Sequence, residues 1–121
     1  SCRASADLPI LVCRNNRKNE QLTLKKAANN DYWFHTKNIP GSHTILVTGG
    51  KEPPERSMLE AAQLAAYFSR ARESAQVPVD YTQVRNVSKP SGAKPGRVIY
   101  VGYNTGYVTP GPALPEQLTR S

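Results

Sequence analysis

The chain has 121 residues, 38% hydrophobic and 21% charged, which suits one globular domain with a true core and excludes two full domains or a disordered polymer. Sixteen lysines and arginines against nine acids leave a net charge of +7, a balance that favours a polyanionic partner: RNA, DNA or an anionic membrane surface. Cys2 and Cys13 can build neither a disulfide framework nor a CxxC zinc site, and no stretch approaches the ~20 apolar residues of a membrane span. The opening shows neither a Met nor a signal-peptide pattern, and the chain reads as a segment of a larger protein.

Residues 1–7 (SCRASAD) are small and polar and read as a loose lead-in. LPILVC (8–13) suits a buried strand with Cys13 as a buried thiol, and the basic RNNRKN follows as a turn. Residues 20–28 space Leu22, Leu24 and Ala28 unevenly for either period and are assigned a short helix. The stretch DYWFHT (31–36) reads as a strand, in which Asp31, Trp33 and His35 share one face and Tyr32, Phe34 and Thr36 the other. TKNIPGS then turns the chain and delivers His43 to a second strand, HTILVT (43–48), before the loop GGKEPPER.

Ser57-Met58-Leu59-Glu60 has the capping-box pattern, and Ala61, Leu64, Ala65, Phe68 and Ala71 recur at helical spacing. A helix over 57–76 follows, stopped by Val77-Pro78. DYTQVRNV (80–87) is strand-like, SKPSGAKPG a basic loop and RVIYVGY (97–103) another strand. Asn104-Thr105-Gly106 reads as a tight turn into a last strand, YVT, and residues 110–121, with three prolines, as a disordered tail. The expected fold is α+β: a single domain, mostly antiparallel sheet, with one long helix packed on it and a second short helix.

Three enzyme patterns fail. Asp31, His35 and His43 are suitable metal ligands, but a turn separates the histidines and HExxH is absent. Ser42 lacks the GxSxG context of a hydrolase nucleophile, and KPSGAKPG lacks the GxxxxGK[ST] spacing of a P-loop. Pro95-Gly96 suits a turn into the next strand, and Lys94 can still meet a phosphate there. A nucleic-acid surface fits best: Arg14, Arg17, Lys18, Lys25 and Lys26 gather near one end of the sequence, and Lys37, Arg85, Lys89, Lys94 and Arg97 in loops and strand ends. Trp33 suits either a core position or a base-stacking one.

The linked motifs RNN, NEQLT, DYWFH, IPGSH and DYTQVRNVSKPSGAKPG resemble the NFACT-R domain, the RNA-binding module of NFACT proteins, over residues 8–109. Cys13 departs from the glycine of the family pattern V-G-R-N-N. The resemblance implies a non-enzymatic domain of a bacterial, RqcH-like ribosome quality-control factor in the cytoplasm. Its implied partners are the large ribosomal subunit (rRNA) obstructed by peptidyl-tRNA, tRNA recruited for alanine tailing, and an N-terminal NFACT domain and coiled coil. Some homologues are known as fibronectin-binding protein A, which makes fibronectin an alternative partner; a metal-dependent nuclease is a further alternative. No cofactor or metal is implied. Family positions that map here are Asp31, Trp33, His35, Pro40, Gly41, Ser42, His43, Lys94, Pro95 and Gly96. The candidate RNA contacts are then Trp33, His35, Lys37, Ser42, His43, Arg85, Lys89, Lys94 and Arg97, with Asp31, Pro40, Gly41, Pro95 and Gly96 shaping the backbone and Asp31 orienting His35.

Overall fold

The computed structural model describes residues 2–13, 15–95, 97–110 and 119–120. In chain order, β1 (Cys2–Arg3) and a 3-10 turn (Ser5–Asp7) lead into β2 (Pro9–Cys13). Helix α1 (Asn16–Gln21) runs on into a π-helical turn, Leu22–Lys26. Strands β3 (Tyr32–Thr36) and β4 (His43–Leu46) precede α2 (Glu55–Tyr67). Then come β5 (Val77–Gln83), a 3-10 turn (Val84–Asn86), β6 (Val87–Ser88), β7 (Ile99–Tyr100), β8 (Asn104–Val108) and β9 (Thr119–Arg120).

The main sheet is antiparallel, in the order β8-β5-β3-β4-β2-β1-β9, and β6 pairs with β7 in a separate ribbon. Five strands make its body; β1 and β9 are two-residue extensions of one edge. Strand alternation gives the sheet two apolar faces. On one, Phe34, Leu46, Ile10 and Val79 pack against Ala61, Leu64 and Ala65 of α2, whose alanines admit the helix close to the sheet. On the other, Trp33 and Ile45 pack with Leu22 of the π-helical turn and with Val84 and Val87. The expected division of Trp33 and His35 from Phe34 and Thr36 is therefore what separates the two cores.

Several elements differ from expectation, each for a local reason. The lead-in is tied down: β1 pairs with β2, and Ala4 is buried. The capping box does not form, because α2 starts at Glu55 behind Pro54. Ser57 Oγ instead donates to the Ser5 carbonyl, and the Glu60 carboxylate accepts from Ser5 N at 2.7 Å and Ser5 Oγ at 2.8 Å. Helix α2 ends at Tyr67, not 76. Past it, Ser69 Oγ takes the Ala66 carbonyl, and Arg70 N donates to Pro40 rather than continuing the helix.

The short helix starts at Asn16 rather than 20, since the Asn15 side chain accepts from the amides of Arg17 and Lys18. Val77-Pro78 opens β5 rather than merely stopping a helix, and Val84 N leaves the ladder for the Asp31 carbonyl. Only Ile99–Tyr100 of RVIYVGY pairs; Gly102, at φ +58°, redirects the chain to the β5 edge. There Asn104-Thr105-Gly106 is strand, not turn, held in register by Tyr81, Asp80 and Val79. Arg14, Gly96 and most of the Pro-rich tail (111–118 and 121) lie outside the described residues.

Candidate nucleic-acid interface

The face of the sheet away from α2 is only partly covered. Leu22 of the π-helical turn, with Val84, Val87, Val98 and Tyr100, closes over Trp33 and Ile45, and between the β3–β4 turn and residues 97–100 a cleft of about 410 Å³ stays open. Trp33, His35, His43 and Tyr100 line it, with Asn38–Pro40 on one rim and Arg97 and Val98 on the other. A larger cleft of about 580 Å³ runs along α2, but Glu55, Arg56, Leu59, Glu60 and Gln63 line it without an aromatic ring, so the chemistry favours the first.

The rings in the open cleft form one connected group. Trp33 and His35 lie nearly parallel, 5.9 Å between centroids with 5° between planes, as neighbours on one strand face. His43 stands edge-on to both at 5.6 Å, and Tyr100 closes on Trp33 at 4.6 Å. Tyr103 meets Tyr100 at 4.9 Å, and Lys37 Nζ lies 4.8 Å above the Tyr103 ring.

A buried carboxylate holds this group together. Asp80 faces His35 across the β3–β5 ladder and is fully buried. It accepts from the Tyr100 hydroxyl, from Thr105 Oγ1 at 2.6 Å and from Lys37 Nζ at 3.4 Å. Burial first, then the Asp80 hydrogen bond and charge, holds the Tyr100 phenol well above its ordinary range. Burial likewise lowers His35 below the usual imidazole value, against the raising effects of the Thr36 and Gly41 carbonyls and Asp80. His35 Nδ1 donates to the Thr36 carbonyl at 2.7 Å, which fixes that proton and leaves a neutral ring at neutral pH.

Asp31 does not orient His35. Its carboxylate accepts from the Ala28 amide at 2.9 Å and the Thr48 amide at 3.1 Å, bracing the entry to β3 against the end of β4. Among the described residues no three His, Cys, Asp or Glu side chains cluster to hold a metal, so Asp31, His35 and His43 do not converge. His43, a candidate RNA contact, is only 2% exposed: Nδ1 meets Thr23 Oγ1 at 2.8 Å and its amide donates to Asn19. Ser42 is buried beside it. The Pro40-Gly41 turn is docked on the end of α2, where a Cβ on Gly41 would sit 3.0 Å from both Ser69 Cβ and Thr36 Oγ1.

The basic residues come together across the sequence. Lys94 and Pro95 share a concave surface with Asn15 and Arg17, and Pro95 a second one with Arg17, Glu20 and Lys25. Lys89 reaches Glu20 at 3.1 Å, pinning the 88–95 loop to α1. Arg85, Lys94 and Arg97 are exposed. Asp80, Tyr100, Tyr103, Asn19 and Thr23 were not among the sequence candidates. An acid between Val79 and Tyr81 in an apolar strand is the one signal that points to such a network.

A basic surface beside a ring-lined cleft defines a nucleic-acid-binding class of domain. The family model for the NFACT protein RNA binding domain matches residues 2–102, and the chain belongs to that family. It is similar to the Rqc2 homolog RqcH of Bacillus subtilis, 53% identical over 107 residues, and to that of Streptococcus pneumoniae, 48% identical over 101. These matches span 88% and 84% of this chain but 18% of either relative. The fold is also that of the C-terminal part of the fibronectin/fibrinogen-binding protein from Streptococcus suis: TM-score 0.93, 40% identity, covering 98% of this chain and 48% of the other.

Proposed function

We propose that this chain is the RNA-binding module of a ribosome quality-control factor. It engages large ribosomal subunits obstructed by peptidyl-tRNA, together with the tRNA recruited for C-terminal alanine tailing, and carries no chemistry of its own. The observation that carries this reading is the union of family membership with the joining of the 88–95 loop to α1, which sets Lys94 and Lys25 in two concave surfaces that share Arg17 and Pro95. Phosphate contacts of this kind position a protein on RNA without reading its sequence. Attachment to the ribosome accounts for the charge, and no helix among the described residues is long and apolar enough to cross a membrane.

Co-sedimentation with large subunits, with and without bound peptidyl-tRNA, tests this. The expected result is retention on the tRNA-bearing subunits that Lys94→Ala weakens; no retention on either overturns it. The name of the Streptococcus suis relative favours a second reading, adhesion to fibronectin, and fibronectin binds in the parallel arm if that reading holds.

A further inference from the structure

We propose that the cleft between the β3–β4 turn and residues 97–100 takes a single unpaired ribonucleotide, its base against the Tyr100 and His35 rings and its phosphate on Arg97. The inference rests on the RNA-binding reading and adds a specific occupant. Three observations carry it. First, the cleft volume of about 410 Å³ lies within the range of small-ligand sites, and four rings, those of Trp33, His35, His43 and Tyr100, line it beside Ile39, Pro40 and Val98. Flat rings at a cleft mouth suit another flat ring, and stacking on them is tolerant of base identity.

Second, the Trp33 indole N–H is fully buried and has no hydrogen-bond partner among the described residues, although Trp33 lines the cleft. Buried donors of this kind are rare without an occupant that completes them. A nucleobase brings ring-nitrogen and carbonyl acceptors; an aliphatic ligand brings none. Third, the wall is built to stay in place: Tyr100 is anchored by its hydroxyl to fully buried Asp80, which Thr105 and Lys37 also hold. A ring fixed in advance loses little freedom when a base stacks on it. Arg97, exposed at the rim, supplies the charge a backbone phosphate needs.

Trp33 is the sole tryptophan in the chain, so its emission reports on this cleft. The test titrates a short oligoribonucleotide of mixed sequence, and the same sequence annealed into a duplex, into the 121-residue chain at low salt. The unpaired strand is expected to change Trp33 emission saturably, and the duplex to bind without that change. Tyr100→Ala should weaken the unpaired strand about tenfold and leave the duplex within twofold. Arg97→Ala, at an exposed site that does not support the fold, should weaken the unpaired strand in the same direction. Salt-sensitive binding of both RNAs with unchanged emission would overturn the nucleotide site while leaving the electrostatic reading intact. Failure of both RNAs to bind would overturn both readings.

Discussion

Asp80 is the residue on which the cleft depends, because one buried carboxylate anchors partners from β7, β8 and the β3–β4 turn. Removing it leaves the Tyr100 and Thr105 hydroxyls without this acceptor, so Asp80→Ala should cost about 2–5 kcal/mol in urea unfolding. His35 makes a different prediction. Its folded value lies below the ordinary imidazole value, so the unfolded chain binds its proton first as pH falls. The neutral ring's stabilising contribution is complete above about pH 6.5 and lost progressively below it. Melting temperature should therefore fall from pH 7.5 toward 5.5, and fall less in His35→Gln, which has no proton to gain; equal slopes would remove His35 as the source. At this scale the sequence showed the pairing of Trp33 with His35 on one face but not the fate of His43. A histidine just after Pro-Gly reads as exposed, but Asn19 and Thr23 from earlier in the chain bond it and the Trp33 and His35 rings pack on it.

The elements were legible where periodicity is strong and local, and illegible where distant chain redirects the backbone. The β3 and β4 strands and the body of α2 follow from alternation and alanine spacing. The end of α2 does not, because Ser69 and the Pro40-Gly41 turn meet across 28 residues of sequence and draw off the donors a longer helix needs. That contact predicts coupling: Gly41→Ala should destabilise by about 1–3 kcal/mol through overpacking. Adding Ser69→Gly removes the clashing Cβ, so the double variant should be more stable than the sum of the single changes predicts. Strict additivity would show that the two residues do not press on each other. At the other end of the helix, Ser57 and Glu60 serve the N-terminal segment rather than a cap. Glu60→Ala should accordingly raise amide exchange at Ser5 and β1 while β3–β5 stay protected.

At the scale of the molecule, the sheet divides its labour. One face is sealed by α2 and supplies stability; the other carries a second small core and leaves a ring-lined cleft beside a basic surface. The antiparallel α+β architecture and the surplus of positive charge were readable from the sequence. The gathering of Arg17 and Lys25 with Lys94 was not, since it depends on a loop folding back onto α1. The claim that this surface binds RNA through phosphates is tested most directly by measuring affinity for single-stranded RNA as salt is raised. Log affinity should fall linearly with log salt, and Lys94→Ala and Arg17→Ala should each flatten the slope by about 0.7. An affinity indifferent to salt, or slopes unchanged in both variants, would contradict it.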